Sequence, residues 1–414
     1  MSLEAKSSDV GREANGTGGW REAINRLAEF ERPSASQGER RAAEWIAERL
    51  DELGCQVTVE EERAHGSYWW PIALANLVAV GSALPLQRGA RARRRLVASA
   101  VSAAAALVLW DDLGHGRRWF RRFLPQRSTW NVVAQAGASD AARTVALVAH
   151  HDAAHSGLVF HPALGMIGPR VFPRLHARSK QTVPILYGVW LGPVMITLGA
   201  LGGLRRLTWA GVAFSLGAVA VMLDIARSGV LPGANDNLSA VGVLLAVAEG
   251  LSQDPVPGVR TLLISTGSEE SFSEGMQAFG RRHFAQLDPA RTEFLCLECL
   301  GGPTLIVLEG EGMLRMRHYP EAMREALAQA AAHAGVSVTR GIRTVAATDA
   351  IIALRAGYPT ATLASIDHTK LPLNYHWPTD RPEALHWDTI EQAIAVCSRF
   401  LRGPANGDRL SNPG

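Results

Sequence analysis

Residues 145–152 have the sequence VALVAHHD, in which five uncharged apolar residues run directly into His150, His151 and Asp152. A short apolar run that stops at polar residues is typical of a buried strand whose carboxyl end opens onto a site. Similar runs alternate with amphipathic helical patterns along much of the chain. This alternation predicts an α/β fold with a mixed, mostly parallel central sheet flanked by helices. The predicted strands are 55–62, 131–136, 144–148, 261–265, 294–297, 304–308 and 360–364.

Apolar residues at helical spacing predict the helices that flank this sheet. In 36–53 they recur every three or four positions, and Gly54 follows as a terminator. The other predicted helices are 238–252, 320–334, 350–356 and 387–402. Both ends of the chain, 1–17 and 403–414, are rich in small and polar residues, so we expect flexible tails there.

The chain is more apolar than its charge would suggest, with 414 residues of which 47% are hydrophobic and 20% charged. The excess lies in two pairs of uncharged runs, which predict two inserted apolar helical hairpins. Tryptophans near the run ends and arginines just outside them are typical of helices in a bilayer. The second run of each pair is shorter than the ~20 residues that span a bilayer, so it can span only if its flanking residues extend the helix. The alternative is that all four runs are buried helices of a large soluble core. The runs are 66–87 with 96–110, and 181–204 with 207–223.

Two arginine-rich segments bear on the partners of the chain. GARARRR at 89–95 and GRRWFRRF at 116–123 are basic enough for nucleic acid, but each adjoins an apolar run. Contact with lipid headgroups explains that position better, so we expect a lipid bilayer as a partner and no nucleic acid. The first 65 residues are polar and contain no signal peptide. This favours an integral protein of a bacterial plasma membrane, with its catalytic domain on the cytoplasmic side.

Polar residues follow five of the apolar runs, and we expect them to meet at one edge of the sheet. Two histidines and several carboxylates brought together in this way are ligands of the type that zinc prefers, and a bridging carboxylate would permit two metal ions. The adjacent Glu269 and Glu270 repel each other unless a cation or a shared proton lies between them. The five places are 150–152 (HHD), 233–237 (GANDN), 267–270 (GSEE), 298–299 (EC) and 374–380 (NYHWPTD).

The backbone pattern separates the residues of the HHD motif. An extended backbone turns His150 and Asp152 to the same face, so the carboxylate can orient the imidazole, and His151 faces away. An alternative pairs His151 with His155 at a spacing of four, but that needs a helix directly after the strand. Cys296 and Cys299 lie among apolar neighbours, which predicts a buried strand. Four cysteines in a chain of this length also exclude a disulfide scaffold.

Taken in order, these motifs resemble those of the M28 zinc peptidases, a family of di-zinc aminopeptidases that includes glutaminyl cyclase relatives. The family pattern is H-x-D, then Asp before Asn or Ser, then E-E, then Asp or Glu, then a late histidine. The resemblance implies a zinc-dependent exopeptidase fold of the phosphorylase/hydrolase type with two zinc ions per chain. It implies Glu269 as the general base and Asp152 as the group that orients a ligand. The implied metal ligands are His150, Asp236, Glu270, Glu298 and His376.

The resemblance leaves the sharing of these ligands between two ions open, with Asp236 as the bridge. One arrangement joins His150 with Glu270 and Glu298 with His376; the other, which we prefer, joins His150 with Glu298 and Glu270 with His376. The chain also departs from the family pattern. Ala153 replaces a small hydroxyl residue, Glu298 is the less common carboxylate at its position, and the segment Ser271-Phe272 lacks the usual first glycine.

The resemblance covers about 20–65, 128–157 and 229–402. It implies a single catalytic domain, 18–402, interrupted by membrane hairpins at 66–127 and 158–227. The implied function is an aminopeptidase that hydrolyses N-terminal residues of a peptide substrate through a metal-bridged water. The alternatives are a glutaminyl cyclase-like acyltransferase and a non-catalytic membrane receptor or scaffold on the same fold.

Overall fold

The computed structural model describes residues 19–86, 90–185 and 188–403. The predicted tail 1–17 and all of the predicted tail 403–414 except Gly403 lie outside the described residues, as do Arg88 and Tyr187. The described strands are β1 Gln56–Ala64, β2 Arg127–Ala136, β3 Arg143–His150, β4 Val259–Thr266, β5 Thr292–Glu298, β6 Thr304–Val307, β7 Gly310–Glu311, β8 Arg317–His318, β9 Arg343–Thr344 and β10 Thr360–Ile366.

Seven of these strands form one mixed sheet in the order β1-β2-β4-β3-β5-β10-β6. Its four central strands β4, β3, β5 and β10 are parallel to one another, while β1, β2 and β6 pair antiparallel at the edges. The predicted fold class is therefore confirmed. Because the central strands are parallel, their carboxyl ends meet at one edge of the sheet. A separate small sheet has the order β8-β7-β9.

Helices cover both faces of the large sheet. Side chains alternate along β3, so that Val145 and Leu147 pack under α1, α2, α10, α12 and α14, while Ala146 and Val148 pack under α11 and α13. The described helices are α1 Gly19–Ala28, α2 Gln37–Glu52, α3 Trp69–Ala83, α4 Ala92–Leu113, α5 Pro162–Gly165, α6 Ile167–Val171, α7 Pro173–Arg178, α8 Gly188–Gly202, α9 Arg205–Arg227, α10 Ser239–Gln253, α11 Glu274–His283, α12 Glu321–His333, α13 Ala350–Arg355 and α14 Trp387–Leu401.

The four long apolar helices of the two insertions pack against one another as a single bundle. Helix α3 contacts α4, α8 and α9, and α8 contacts α4 and α9. Small residues permit this close approach: a side chain on Gly192 would clash with Ser215, and the Ser102 hydroxyl donates to the Pro193 carbonyl at 2.8 Å. Small interface residues and hydroxyl-to-backbone hydrogen bonds are typical of helix packing in membranes.

Helix lengths differ from those that the uncharged runs suggested. Helices α4 and α9 have 22 and 23 residues, whereas α3 and α8 have 15 each. The runs 66–87 and 181–204 include segments outside the helix ends, among them Pro184, while α4 and α9 continue through charged residues such as Asp112 and Arg227. At 1.5 Å per residue, α4 is about 33 Å long and α3 about 22 Å, against a hydrocarbon core of about 30 Å. Only α4 and α9 among the described helices are long and apolar enough to cross a membrane.

The two turns of the bundle lie at the same end. Arg95, at the start of α4, donates to the carbonyls of Ala200 and Leu201 at the end of α8 at 3.0 and 2.8 Å. Leu86 and Ala200 also pack together there. At the opposite end, the apolar interior of the bundle continues into Phe272, in the loop after β4, and Tyr375, in the loop after β10.

The first insertion is a greatly lengthened connection within one strand pair. Strands β1 and β2 are antiparallel neighbours, and their last paired residues are Ala64 and Arg127. The segment between them leaves the sheet as α3, turns, returns as α4 and re-enters the sheet beside its starting point. The predicted domain boundaries remain a prediction.

Candidate metal centre

The residues predicted for the site converge at the carboxyl edge of the four parallel strands. His150 ends β3 and Glu298 ends β5, while Glu269 and Glu270 follow β4 by three and four residues. Asp236 lies in the irregular turn Ala234–Leu238 that precedes α10, and its peptide bond to Asn237 is cis. The loop after β10 adds His376. The sheet topology therefore brings together residues that are far apart in the sequence.

Asp236 lies at the centre of this cluster, with one carboxylate oxygen toward each histidine. Its Oδ1 lies 3.3 Å from His150 Nε2, and its Oδ2 lies 3.3 Å from His376 Nε2. On the His150 side, Glu298 Oε1 is 3.7 Å from Nε2. On the His376 side, Glu270 Oε2 is 3.4 Å from Nε2. These distances match the arrangement that joins His150 with Glu298 and Glu270 with His376. An oxygen of Glu270 also lies within 4.8 Å of the ligand atoms of His150 and Asp236, so the sharing of ligands between two ions stays a prediction.

The donor set and its spacing fit zinc. Two ligand atoms of a tetrahedral zinc, each about 2.0–2.1 Å from the ion, lie about 3.3 Å apart, close to the separations observed around Asp236. Imidazole nitrogen and carboxylate oxygen are both common zinc ligands. Among the described atoms of the five candidate ligands, four buried ones have no hydrogen-bond partner, namely His150 Nε2, His376 Nδ1, Glu270 Oε1 and Glu298 Oε2. A bound cation would satisfy the atoms of His150, Glu270 and Glu298, whereas His376 faces Asp236 with its other nitrogen, Nε2.

The charges of the cluster are tightly linked because His150, Asp236 and His376 are buried and the three glutamates are mostly shielded from solvent. Burial works against a charged His376, but Glu270 and Asp236 outweigh it and raise its pKa to about 10. Burial acts to raise the pKa of Asp236, but contacts with both histidines outweigh it and lower that pKa. Burial, reinforced by Asp349 and Glu298, raises the pKa of Glu269 well above the usual carboxyl range, against the opposing effect of His150. The cluster thus favours added positive charge, which a divalent cation supplies.

Asp152 holds three members of the site at once. Its Oδ1 lies 3.3 Å from His150 Nδ1 and accepts the backbone N–H of Glu269 at 3.0 Å. Its Oδ2 accepts the N–H of Glu270 at 3.1 Å and the hydroxyl of Ser34 at 2.6 Å. The sequence analysis predicted the contact with the imidazole, but not the bonds to the glutamate backbone.

Two further buried residues support the centre and were not predicted. Asp380 accepts the backbone N–H groups of Asn235 and Asp236 at 2.7 and 3.1 Å, which holds the turn that carries Asp236. Arg32 donates to the carbonyls of His151 and Gly233 at 2.8 and 2.9 Å, which ties the end of β3 to the same turn. Asp380 belongs to the NYHWPTD motif, so its position was a signal, whereas nothing in the sequence around Arg32 marks a buried arginine.

Of the remaining candidates, His151, His155 and Cys296 lie apart from the ligands, whereas Cys299 contacts one of them. His151 is buried and bonds through Nδ1 to the Ser265 hydroxyl at 3.0 Å, and burial lowers its pKa to about 3. His155 bonds to the Ser228 carbonyl at 2.9 Å, so the alternative pairing of His151 with His155 does not form. Cys296 is buried in β5, as expected. Cys299 lies closer to the centre, with its thiol 3.3 Å from Glu298 Oε1.

A cavity of about 140 Å³ opens beside the cluster. The carboxylates and His376 form part of its lining, and most of the other lining residues are apolar. Both insertions contribute to its wall, because Tyr68 belongs to the first and Phe160 to the second. Apolar residues of the catalytic region also line it, among them Ile306, Leu308, Met313, Ile366, Leu371 and Pro372.

Comparisons with known proteins agree with this fold. The family model for peptidase family M28 matches residues 218–401. A zinc-dependent exopeptidase from Parabacteroides distasonis is 12% identical, with a TM-score of 0.54 over 93% of this chain and 97% of the other. An aminopeptidase from Aneurinibacillus sp. strain AM-1 is 12% identical, with a TM-score of 0.53 over 93% of each chain. A glutaminyl cyclase from Bacteroides thetaiotaomicron is 13% identical, with a TM-score of 0.54 over 93% and 97%. A search of curated protein sequences finds no match.

Proposed function

We propose, given that residues 218–401 belong to peptidase family M28, that this chain is a zinc-dependent aminopeptidase that hydrolyses N-terminal residues of peptides. The observation that carries the proposal is Asp236, whose two carboxylate oxygens each lie 3.3 Å from a different histidine. Such a carboxylate suits a bridge between two ions. We propose His150 with Glu298 on one side of the bridge and His376 with Glu270 on the other.

Zinc bound here would act as a Lewis acid that polarises the scissile carbonyl and acidifies a water molecule. The protein contributes the proton transfers. Glu269 lies beside the proposed ligands but farther from a histidine than they do. Its Oε2 is 3.9 Å from His150 Nε2, whereas the ligand carboxylates lie 3.3 to 3.7 Å from a histidine nitrogen. As general base it takes a proton from the attacking water, and it then passes that proton to the leaving amine. Asp152 holds the backbone of Glu269 in place for both steps.

The apolar side of the cavity indicates the class of substrate. The carboxylates attract the free α-ammonium group of a peptide, and the side chain of its first residue then lies against Phe160, Ile306 and Leu308. We propose a preference for large apolar N-terminal residues. Each methylene buried in such a pocket is worth about 1–3 kcal/mol, or roughly 10–200-fold in kcat/KM.

Aminoacyl p-nitroanilides test this activity directly. We expect the Leu and Phe substrates to be cleaved with kcat/KM at least about tenfold above the Ala and Glu substrates. N-acetyl-Leu p-nitroanilide is the matched control, and it should resist cleavage because its amine is blocked. Preferred cleavage of the acetylated substrate would exclude an aminopeptidase.

A glutaminyl cyclase-like acyltransferase is the second candidate, because the similar structures include a protein of that name. Incubation with a Gln-Phe dipeptide separates the two, since a cyclase releases ammonia and leaves the peptide bond intact. A non-catalytic membrane receptor or scaffold on the same fold predicts neither product. The presence of all five proposed ligands together with Glu269 favours an enzyme.

We also propose that the bundle anchors the chain in a bacterial plasma membrane. Among the described residues, many large apolar side chains are exposed on the outer surface of the bundle. A lipid bilayer would cover them. Helices α4 and α9 are long enough to span, and the shorter α3 and α8 would reach across with their flanking residues. The exposed side chains include Trp70, Leu74, Val78, Leu96, Leu107, Trp110, Leu198, Leu201, Trp209 and Phe214.

Cysteine labelling in intact cells tests this topology. The four native cysteines are buried, so added ones dominate the signal. If the catalytic domain is cytoplasmic, cysteines replacing Arg91 and Arg205 in the bundle turns will react with a membrane-impermeant maleimide. A cysteine replacing Glu48, exposed on α2, will react only after lysis. The reverse labelling pattern would place the catalytic domain outside, and equal labelling of all three would argue against a membrane-spanning bundle.

A further inference from the structure

The loop that carries Glu269 and Glu270 has an unfavourable backbone. Ser268, Phe272 and Ser273 adopt left-handed φ angles of 52°, 71° and 58°, although none of them is glycine. Side chains rarely adopt this region, because the Cβ atom is crowded there. Phe272 belongs to the segment Ser271-Phe272, which lacks the first glycine of the family pattern. The loop therefore needs contacts from outside itself to hold this conformation.

Those contacts come from the first insertion. Arg121 Nη1 donates to the Ser271 carbonyl at 2.9 Å, and Arg118 Nη2 donates to the Phe272 carbonyl. Both arginines are buried, with relative exposures of 1% and 6%. From the other end of the insertion, the ring of Tyr68 stacks on that of Phe272 at 4.9 Å. The first insertion thus contacts both residues that directly follow the proposed ligand Glu270, namely Ser271 and Phe272.

Glu274, at the start of α11, contacts both ends of the first insertion. It accepts the backbone N–H of Gly66 at 3.0 Å, and its other oxygen lies 3.3 Å from Arg121 Nη1. It also accepts the hydroxyl of Ser271 within the loop at 2.6 Å. Arg121 in turn pairs through two bonds with Asp112, the second-last residue of α4, at 2.6 and 3.0 Å. A continuous set of charged contacts therefore runs from the end of α4 to the loop.

We propose that Arg118 and Arg121 are positioning residues of the metal centre, which hold Glu269 and Glu270 in place through the carbonyls of Ser271 and Phe272. The first insertion is then a working part of the site as well as a proposed membrane anchor. The inference rests on the proposed function only in taking Glu270 as a metal ligand. The competing explanation is that both arginines only stabilise the fold.

Metal affinity separates these explanations without any assay of turnover. We would prepare the full-length protein in detergent, remove metal, and follow Co²⁺ binding by its visible absorption. Arg118→Gln and Arg121→Gln are each expected to raise the Kd for Co²⁺ by about 10–100-fold, the usual effect of disturbing groups that orient a metal ligand. Arg117→Gln and Arg122→Gln are the matched controls, because these neighbouring arginines are exposed, and they should stay within about twofold.

A double-mutant cycle tests the mechanism further. Glycine adopts a φ of 71° without strain, so Phe272→Gly should reduce the need for Arg118. In that background, Arg118→Gln should change the Kd for Co²⁺ by less than about threefold. A purely stabilising arginine would instead lower the melting temperature equally in both backgrounds and leave the Kd unchanged. Arg121→Gln could fail to fold, because Asp112 and Glu274 lose their partner. The double-mutant cycle at Arg118 would then still distinguish a positioning role from a purely stabilising one.

The outcomes also separate this inference from the proposed function. A wild-type protein that binds Co²⁺ but cleaves no peptide would overturn the proposed activity and leave the comparison of affinities valid. Folded Arg118→Gln and Arg121→Gln variants with wild-type affinity would overturn the positioning role while leaving the peptidase proposal intact. A wild-type protein that binds no Co²⁺ would contradict both.

Discussion

Replacing Glu269 with glutamine is expected to lower kcat for aminoacyl p-nitroanilides by about 10²–10⁴-fold, the usual contribution of a general base. The amide has the same shape as the carboxylate but cannot accept the proton of the attacking water. Metal content should remain at the wild-type level, because the histidines lie closer to Asp236 and Glu270 than to Glu269. The measurements are steady-state kinetics and metal analysis of the same preparation.

Glu48→Gln is the matched control for this substitution. Glu48 is exposed on α2, away from the site, so its variant should keep wild-type kcat and metal content. Wild-type turnover by Glu269→Gln would remove Glu269 as the base. Loss of metal along with activity would instead show that Glu269 is a ligand.

Replacing Asp236 with alanine is expected to have the second large effect, which is loss of metal from both sides of the centre. Each oxygen of this carboxylate faces a different histidine, so truncation removes a ligand from both proposed ions at once. We expect two bound equivalents to fall below one and activity to fall at least about 10²-fold. Metal analysis after dialysis, with zinc added back to both proteins, measures the change.

Asp388→Ala provides the comparison, because Asp388 is exposed in the first turn of α14. It should bind metal as the wild type does. Bound metal should also raise the melting temperature of the wild type, since a ligand at 100 times its Kd stabilises the folded state by about 2.7 kcal/mol. If Asp236→Ala keeps two equivalents and the same metal-dependent stabilisation, Asp236 does not bridge two ions.

Much of the fold was predictable because the strands are short apolar runs that end in distinctive polar motifs. The apolar run before His150 and His151 predicted β3, and the runs before Glu269 and Glu298 predicted β4 and β5. The parallel centre of the sheet then followed from the alternation with helices. Helices α1 and α11 were not predicted, because each has only ten residues, although Trp20, Ala23, Ile24 and Leu27 of α1 recur at helical spacing and are buried.

The sharing of ligands could not be derived from sequence order. The sharing depends on which strands are neighbours in the sheet. Strand β3 lies between β4 and β5, although it precedes both of them in the chain. In the structure, Glu298 at the end of β5 lies near His150, while Glu270 reaches His376. Distances of this kind depend on the side-chain conformations of residues that are more than a hundred positions apart.

The arginines of GRRWFRRF show where the sequence misled. Their place beside an apolar run suggested contact with lipid headgroups, and the exposed Arg117 and Arg122 remain compatible with that expectation. Arg118 and Arg121 are instead buried against the loop of the centre. Their partner Glu274 lies about 150 residues further along the chain, so no local pattern could distinguish these two arginines from their neighbours.

The pairing of Ala64 with Arg127 also sets the order in which the protein can be assembled. Strand β1 leaves the ribosome early, but its partner β2 emerges only after α3 and α4 have been synthesised. Closing a connection of about 60 residues in place of a four-residue turn costs roughly 2 kcal/mol of chain entropy. Edge strand β1 therefore cannot pair with β2 until the segment that contains α3 and α4 has been synthesised.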